Sequence, residues 1–335
     1  MAVFSTYQLR GEEPGNAFVC YNRIMKQLSV IIPFYNAEKY IERCVLSVVK
    51  ACEGVRAEIL LINNNSTDKS LDLAKKMQKE YPDLVSMLDC KTPGAAAVRN
   101  FGVKKVDGKY IWFIDADDEI TPDSAKKLLE KAEKTGAELV MMGAKRIYSD
   151  GHTDYLSAVD ESKPDYKSRF IRYGAGPWMF IISRKWWIKN GFLFREGIIH
   201  EDMELMSSLI LHTEKFSSVN EPLYLYYQND DSVLHKKKWD AHAFDIFPAL
   251  EGLYQHFKEV GATQKYHDEL EWFFIWNLLI DSAKDFAKFP EGRSGFSRSR
   301  EMLTKYYPTW RKNRFLREKP LKLRLRVRAN YHRNK

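Results

Sequence analysis

Apolar and polar positions alternate in blocks through the first 145 residues of the chain. Short apolar runs predict strands at 29–33, 58–62, 84–88, 110–114 and 139–142. Between them the apolar spacing predicts helices at 37–49, 71–77 and 95–103, the first of them capped by Asn36. A further helix is predicted to begin at Thr121-Pro122, because proline suits the first helical turn. This alternation predicts an α/β fold with a doubly wound, mostly parallel, Rossmann-like sheet.

The pattern changes after residue 148. Residues 149–168 are polar and predict a loop, 222–227 predict a Tyr-rich strand, and 241–260 and 266–289 predict amphipathic helices. We therefore expect a C-terminal helical extension on the α/β fold. The predicted segments are an N-terminal extension (1–25), an α/β half (26–148), a second half of the same domain (149–236), a helical region (237–310) and a basic tail (311–335).

The N-terminal residues differ in composition from the residues that follow. Residues 1–23 lack a basic start followed by an apolar core, so we do not expect a secretory leader. Met25-Lys26 directly precede the first strand, and we expect the native chain to start there; a native terminus at Met1 or Ala2 would contradict this. The four cysteines form no Cys-x-x-Cys pair, which favours reduced thiols in the cytoplasm over a zinc site.

The net charge of +8 comes from the C-terminal tail. Residues 311–335 contain eleven Lys or Arg and one Glu, so the remaining chain is slightly acidic and is not expected to bind nucleic acid. Residues 321–328 alternate apolar and basic side chains, which predicts an extended strand with one cationic face. Such a tail suits peripheral contact with the anionic inner face of the cell membrane. The alternatives are contact with RNA or DNA, or a solvated tail.

Polar side chains follow the first, second and fourth predicted strands. They form the segments 33–36, 63–68 and 115–118, the last of which contains three carboxylates. Because the carboxyl ends of parallel strands meet at one edge of a sheet, we expect these segments to share a cleft. Carboxylates there suit Mg²⁺ or Mn²⁺, which bind oxygen ligands and carry phosphate groups. The alternative is a turn whose acidic residues cap the next helix.

In their order and spacing, segments 29–35, 63–68, 99–102 and 115–118 resemble the family 2 glycosyltransferases of the GT-A fold. The resemblance extends over residues 27–235 and points to bacterial enzymes that build capsule, lipopolysaccharide or exopolysaccharide. It implies inverting transfer of a hexose or N-acetylhexosamine from a nucleotide-diphosphate sugar, with UDP expected, to a hydroxyl of a glycan or lipid-linked glycan. It also implies assistance by Mg²⁺ or Mn²⁺.

The resemblance implies roles for residues of the first half. Asp117, and next to it Asp118, would bind the metal, and Asp115 would hold the ribose or sugar of the donor. Arg99 would bind a phosphate or pair with the acidic cluster through its planar fork, although a surface ion pair is the simpler alternative. The implied donor-binding set is Pro33, Tyr35, Asn36, Asn64, Arg99, Asn100, Asp115, Asp117 and His235.

One departure from the family pattern concerns the nucleobase. Asn63 and Asn64 stand where the family usually has two Asp, the second of which accepts a hydrogen bond from the uracil ring NH. Asn64 can still accept through its carbonyl, and its amide can donate to a uracil oxygen. The alternative is that Asn63, Asn64 and Asn65 simply form a turn.

The second half is expected to bind the acceptor and to supply the general base. By resemblance Glu201 and Asp202 match an acidic pair at the start of a helix, and Asp202 is the better match to the base. A carboxylate there can take the proton of the attacking hydroxyl, or the pair can simply favour the helix N-terminus. Residues 229–235 resemble a flexible segment that closes over the diphosphate, where His235 would touch metal or phosphate. Trp178, Trp186 and Trp187 are candidates for sugar stacking, with burial expected for at least two of them.

Two other function classes stay open on the sequence alone. A nucleotidyltransferase also uses an α/β cleft with acidic residues, but no Gly-rich, basic phosphate loop follows the first strand. A noncatalytic nucleotide-sugar-binding module is compatible with Asn63-Asn64, whereas Glu201-Asp202 argue against it. A processive synthase is disfavoured because the chain lacks a long apolar span and a Gln-x-x-Arg-Trp motif.

Overall fold

The structure, a computed structural model, describes residues 25–228 and 239–333. Three sequence expectations concern residues outside these ranges. They are the N-terminal extension, the closing segment 229–235 and the role of His235.

Four parallel strands carry the first half of the fold. They are β1 (Leu28–Phe34), β2 (Ala57–Asn63), β3 (Val85–Asp89) and β4 (Tyr110–Phe113). Their order across the sheet is β3-β2-β1-β4, and every neighbouring pair in this group is parallel. β1 and β4 are almost entirely buried, as the continuous apolar runs predict for strands covered on both faces. The α/β prediction is therefore confirmed.

The second half extends the same sheet. Its strands are β5 (Glu119–Ile120), β6 (Leu139–Tyr148), β7 (Thr153–Leu156), β8 (Phe180–Ser183) and β9 (Phe216–Gln228). β8 lies between β4 and β6 and runs antiparallel to both, so β6 returns to the direction of β4. β9 pairs in parallel with β6 along its whole length and then with β5, which brings its last residues to the end of β4.

Within residues 25–228 and 239–333, seven α-helices flank the sheet and six more form the C-terminal extension. The flanking helices are α1 (Ile41–Ala51), α2 (Ser70–Glu80), α3 (Ala95–Val103), α4 (Ser124–Thr135), α5 (Tyr166–Tyr173), α6 (Arg184–Lys189) and α7 (Glu201–His212). The extension contains α8 (Ile246–Glu259), α9 (His267–Trp276), α10 (Ser282–Lys288), α11 (Ser294–Tyr306), α12 (Arg314–Arg317) and α13 (Leu321–His332). Gly102 lets α3 approach the sheet closely, since a Cβ there would collide with the side chains of Ile31 and Ile62.

Two local predictions are wrong. Asn36 does not cap a helix at residue 37: it has a left-handed backbone, with φ of 47°, and α1 begins at Ile41 after a turn. The segment 149–168 is not wholly a loop, because it contains β7 and the start of α5. The helical prediction for 266–289 is confirmed, with a π-helical turn at Asn277–Asp281 that joins α9 to α10.

The basic tail is a helix, which contradicts the predicted strand. Leu, Lys and Arg are strong helix formers, and α13 begins after Pro320 and packs on α11 and the π-helical turn at Asn277–Asp281. Val327 is fully buried, and Asn330 donates to the backbone carbonyl of Leu279, so this helix packs onto the extension. Among the described residues, no helix combines the length and the apolar character that crossing a membrane requires.

Candidate active site

The acidic loop, residues 115–118, begins where β4 ends at the carboxyl edge of the sheet. Its three carboxylates point in different directions. Asp115 is a third exposed and accepts from Arg99 Nη2 at 3.1 Å, whereas Asp118 is fully buried. Asp117 is half-buried, and its backbone carbonyl accepts from Arg43 Nη2 at 2.8 Å. The loop thus exposes two carboxylates at the cleft and holds the third inside the protein.

Two tyrosines of strand β9 hold the acidic loop through hydrogen bonds. The Tyr224 hydroxyl donates to Asp118 Oδ2 at 2.8 Å and accepts from the Asp115 backbone N–H at 3.2 Å. The Tyr227 backbone N–H donates to the other oxygen, Asp118 Oδ1, at 2.8 Å. Through these bonds Asp118 joins the loop to β9. Its role as a metal ligand, which the resemblance implied, stays a prediction.

Burial and neighbouring carboxylates shift the pKa values of two groups at the acidic loop. Burial raises the pKa of Asp118 to about 9, and the charges of Asp117 and Asp115 add to the rise, while the bonds from Tyr227 and Tyr224 oppose it. Burial and the same three carboxylates also raise the pKa of the Cys44 thiol, which donates to the Asp115 carbonyl at 3.5 Å. The two partly exposed carboxylates, Asp115 and Asp117, still offer oxygen atoms of the kind that bind a divalent cation.

Arg99 connects the acidic loop to the second half of the chain. Its Nη1 donates to Glu201 Oε1 at 2.6 Å and its Nη2 to Asp115 at 3.1 Å, and its side chain is 8% exposed. Burial raises the pKa of Glu201, and Arg99 opposes that rise. Since Glu201 is the first residue of α7, one guanidinium joins the end of β4 to the start of α7. The simple surface ion pair considered from the sequence is contradicted by this burial.

Asp202 follows Glu201 and is half-buried. Its Oδ1 accepts from the Met203 backbone N–H at 2.9 Å, so it also interacts with the first turn of α7. Its charge acts on the buried Arg99. The structure therefore brings Asp202 and the acidic loop into one neighbourhood, as the sequence required of a general base and a donor site.

Asn100 holds residues 194–196, which form one wall of the site, through hydrogen bonds. Its Nδ2 donates to the Phe194 carbonyl at 2.8 Å and to Glu196 Oε1 at 3.1 Å, and its Oδ1 accepts from the Phe194 N–H at 2.9 Å. The Phe194 ring lies 5.4 Å from the Arg99 guanidinium. Asn100 therefore positions a wall of the site, whereas the sequence assigned it to donor binding.

The loops after β1 and β2 are joined at the same edge of the sheet. Asn36 Oδ1 accepts from the Thr67 backbone N–H at 2.8 Å, while Pro33 is half-buried in β1 and Tyr35 is 61% exposed. Asn64 donates through Nδ2 to the carbonyls of Cys90 and Thr92, both at 2.8 Å, and accepts from a backbone N–H through Oδ1. Both amide hydrogens of Asn64 are thus used within the protein, and the second lone pair of Oδ1 is left to accept. The predicted contact of Asn64 with a nucleobase stays a prediction.

The tryptophans considered for sugar stacking are buried. Trp186 and Trp187 are 5% and 2% exposed and pack around Phe192, which confirms the expectation for two of the three. Trp178 is also buried and stacks on the Tyr224 ring with centroids 4.4 Å apart. It therefore supports the residue that holds the acidic loop.

Several residues of this site were not found from the sequence. Tyr224 and Tyr227 were seen as part of a Tyr-rich strand, but no local pattern indicates that a strand 106 residues later contacts Asp118. Arg43 lies on α1, stacks on the Tyr227 ring at 3.9 Å and pairs with Glu119. Such contacts depend on the sheet order, which brings β9 beside β5, and the order is not readable from periodicity.

Comparisons with known proteins agree with this geometry. Residues 29–193 match the profile of glycosyl transferase family 2. The chain is 28% identical over 254 residues to the glycosyltransferase EpsJ of Bacillus subtilis (strain 168), covering 71% of this chain and 72% of EpsJ.

Two solved structures share the fold. The complex of Staphylococcus aureus TarS 1–349 with UDP-GlcNAc superposes with a TM-score of 0.72 at 19% identity, covering 91% of this chain and 89% of that chain. The mannosyltransferase PcManGT of Pyrobaculum calidifontis, in complex with GDP-Man and Mn²⁺, gives a TM-score of 0.53 at 13% identity, covering 93% and 88%. The profile match over residues 29–193 places this chain among the family 2 glycosyltransferases, and the solved structures show that it has the GT-A fold.

Proposed function

We propose that the protein transfers a hexose or N-acetylhexosamine, with inversion, from a UDP-sugar to a hydroxyl of a glycan or lipid-linked glycan during surface polysaccharide synthesis. The observation that carries the proposal is the Arg99 bridge, which joins Asp115 at the sheet edge to Glu201 beside Asp202. A bound sugar donor would thereby lie next to a carboxylate able to activate an acceptor. The UDP-GlcNAc complex of the structurally similar TarS supports the choice of UDP.

In this mechanism Asp202 is the general base. Its half-buried carboxylate takes the proton of the acceptor hydroxyl as that oxygen attacks the anomeric carbon. Glu201 is ion-paired with Arg99 at 2.6 Å and is therefore a positioning residue. Arg99 also restrains Asp115, so donor and acceptor groups are held by one rigid, buried fork.

The carboxylates of the acidic loop fit a divalent cation. Asp117 is the proposed protein ligand, with Asp115 beside it, because Mg²⁺ and Mn²⁺ bind through one or two carboxylates together with donor phosphates. When bound, the ion would neutralise the negative charge that develops on the leaving diphosphate. PcManGT, which shares the fold of this protein, was solved in complex with Mn²⁺, and this supports the proposal of a divalent cation. We expect EDTA to abolish transfer and added Mg²⁺ or Mn²⁺ to restore it.

The nucleobase pocket is proposed to involve Pro33, Tyr35, Asn36 and Asn64. Asn64 can accept the uracil ring N–H through its remaining lone pair, while Tyr35 is exposed enough to stack on the base. We therefore expect UDP to raise the melting temperature of the protein more than GDP, CDP or ADP does. Equal shifts from all four nucleotides would contradict uracil selectivity.

Substitution of the base tests the mechanism directly. Asp202→Asn should lower transfer by at least about 10²-fold, because general base catalysis contributes that much, while the shift caused by UDP stays unchanged. Asp72→Asn is the matched control, since Asp72 also lies in the first turn of a helix, α2, but is exposed and takes no part in the Arg99 bridge.

The same assay separates the alternative functions. Turnover retained in Asp202→Asn would remove this residue from the mechanism. Donor binding by the unaltered protein without hydrolysis or transfer would favour a noncatalytic nucleotide-sugar-binding module. Release of pyrophosphate from a nucleoside triphosphate would favour a nucleotidyltransferase.

We also propose that α13 contacts the anionic inner face of the cytoplasmic membrane, where lipid-linked acceptors lie. Leu321 and Leu325 are 61% and 53% exposed and are one helical turn apart. Exposed basic side chains surround them, namely Lys322, Arg326 and Arg328. Apolar side chains inside a cationic surface favour interfacial binding to anionic lipid.

A further inference from the structure

Three side chains of the kinds that bind metal ions lie together at the start of α9, in the C-terminal extension. They are His267, Asp268 and Glu271, and one ligand atom of each lies within 4.8 Å of the other two. Glu271 follows the other two at spacings of four and three positions, so the helix itself brings the three side chains together. None of the roles argued above uses this cluster. It contains no cysteine, and cysteine spacing was the sequence argument against zinc.

Glu271 contributes a buried oxygen atom that lacks a partner. The residue is 2% exposed, and Asn313 Nδ2 donates to its Oε2 at 2.8 Å. No described residue donates a hydrogen bond to the other oxygen, Oε1, although solvent does not reach that atom. A buried carboxylate is normally paired, hydrogen-bonded or bound to a metal ion. Oε1 is therefore the atom of Glu271 that is left to bind a ligand.

Asp268 shows the same division between its two oxygens. Its Oδ2 pairs with Arg314 Nε at 3.1 Å, whereas its Oδ1 lies 3.5 Å from Nδ1 of His267. Two ligand atoms that bind a tetrahedral zinc ion at about 2.0–2.1 Å lie about 3.4 Å from each other. The free oxygen of Asp268 and the imidazole nitrogen are therefore already separated as two ligands of one ion would be.

Residues 313 and 314 support both carboxylates from outside the cluster. Asn313 donates to Glu271 Oε2 and to the backbone carbonyl of Asp268, each at 2.8 Å, and Arg314 pairs with Asp268 Oδ2. Carboxylates that bind metal ions are commonly oriented by such hydrogen bonds from a second layer of residues. Each carboxylate is thus held through one oxygen and leaves the other available.

The combination of one imidazole with two carboxylates favours zinc over magnesium. Imidazole is a good ligand for Zn²⁺, whereas Mg²⁺ prefers oxygen ligands alone. The His267 side chain is 51% exposed, and its ring packs edge to face on the buried Tyr307 ring, with centroids 5.5 Å apart. An ion can therefore approach from solvent past His267 and Asp268, with Glu271 at the base of the site.

We propose that His267, Asp268 and Glu271 bind one Zn²⁺ ion, through an imidazole nitrogen, Asp268 Oδ1 and Glu271 Oε1, with water in the fourth position. This ion is distinct from the one proposed at the acidic loop and takes no part in sugar transfer. Because residues 313 and 314 hold two of its ligands, the bound ion stabilises the contact between α9 and the start of α12.

The test measures the zinc affinity of the full chain, freed of metal with EDTA and then dialysed, by competition with a chromogenic chelator. The same measurement on Asp117→Asn removes the proposed ligand of the acidic loop. We expect both proteins to share a zinc site that an equal concentration of Mg²⁺ does not occupy. Absence of zinc binding in Asp117→Asn, or its displacement by an equal concentration of Mg²⁺, would overturn the proposal.

Two ligand variants connect the binding to the cluster. His267→Gln removes the imidazole at a half-exposed position, and Glu271→Gln removes the charge of the buried carboxylate while keeping its size. Each should weaken zinc binding at least tenfold. His152→Gln is the control, because His152 is an exposed histidine in the turn between β6 and β7. Unchanged affinity in both ligand variants would place the ion elsewhere and overturn the assignment.

Two further measurements separate a zinc site from a change in folding. Zinc should raise the melting temperature of the unaltered protein and of Asp117→Asn, and raise that of His267→Gln less, since an ion stabilises only the state that binds it. X-ray absorption at the zinc edge should show nitrogen and oxygen ligands at about 2.0–2.1 Å. Sulfur ligands, or an equal thermal shift in His267→Gln, would contradict the proposal, and circular dichroism checks that each variant is folded.

Discussion

At the scale of single residues, the site depends on side chains that each make two connections. Arg99 bridges two carboxylates from distant parts of the chain, and Asn100 holds both the N–H and the carbonyl of Phe194. The Tyr224 hydroxyl likewise donates to Asp118 and accepts from the Asp115 N–H. Removing one atom from such a residue breaks two contacts at once, which makes these positions sensitive tests of the structure.

Tyr224→Phe is the mildest of these changes, since it removes one oxygen. It leaves Asp118 Oδ2 and the Asp115 N–H without their partner, so we expect a loss of about 1–3 kcal/mol in the free energy of unfolding. Urea denaturation measures this loss, and the affinity for Mn²⁺ in the presence of UDP should fall as well. Tyr155→Phe is the control because Tyr155 is 62% exposed; equal stability of the two variants would contradict the bridging role.

The chemistry-bearing residues of the first half could be predicted because they follow strands directly. Asp115 and Asp117 come next to an apolar run, and Asn36 and Asn64 follow two others, so the sheet edge brings them together. The buried role of Asp118 could not be predicted, because it depends on Tyr224 and on where β9 enters the sheet. Adjacent carboxylates in one motif look alike in sequence and differ only in the direction that the fold imposes on them.

At the scale of elements, α7 and α8 carry a titratable contact. Burial lowers the pKa of both His212 and His256 from the ordinary value of 6.5, and each histidine also senses a neighbouring charge. The unfolded chain therefore binds more protons than the folded one as the pH falls below about 6.5. The contribution of the pair to stability is complete above that pH and is lost toward lower pH.

The prediction is a histidine-dependent loss of stability on mild acidification. Urea denaturation between pH 7.5 and 5.5 should show the free energy of unfolding falling with pH, and the fall should be smaller in His256→Gln. Carboxylates near the pair, Glu204 and Glu259, are common to both proteins, so the difference between them isolates the histidines. His152→Gln, on the exposed β6–β7 turn, should retain the full dependence; an identical slope in all three proteins would refute the assignment.

The secondary-structure elements differ in how well the sequence predicts them. The buried strands were predicted to within a few residues because continuous apolar runs have few alternatives. The strand prediction for the tail was wrong because a two-residue alternation of Leu and Arg is compatible with a strand or a helix. The tail forms the helix α13, in which tertiary contacts bury Val327 and Asn330. Helix propensity was the better guide there, since Leu, Lys and Arg all favour the helix.

At the scale of the whole molecule, the C-terminal extension is part of the folded body. Trp310 and Val327 are buried, and Asn313 bonds to both Asp268 and Glu271 of α9. Removing everything after Trp310 would therefore expose a packed surface and confuse membrane binding with unfolding. A test of membrane contact must change exposed positions alone.

The double variant Leu321→Ser/Leu325→Ser meets that condition. Since burial of a leucine in lipid is worth about 1.5–3 kcal/mol, we expect at least about tenfold weaker binding to vesicles that contain anionic lipid. Cosedimentation with anionic and with neutral vesicles measures the effect. Leu46→Ser on α1 is the control, at 40% exposure, and unchanged binding of the double variant would refute the α13 contact.

The hydrogen bonds from Asn100 to residues 194 and 196 limit how related enzymes can exchange this loop. Phe194 in that segment also lies against the guanidinium of Arg99, which is on the same helix, α3. A loop exchanged here between two relatives would lose these partners unless α3 came from the same parent. Recombination should therefore move α3 and this loop as a single unit, and hybrids cut between residues 103 and 190 would be the ones that lose activity.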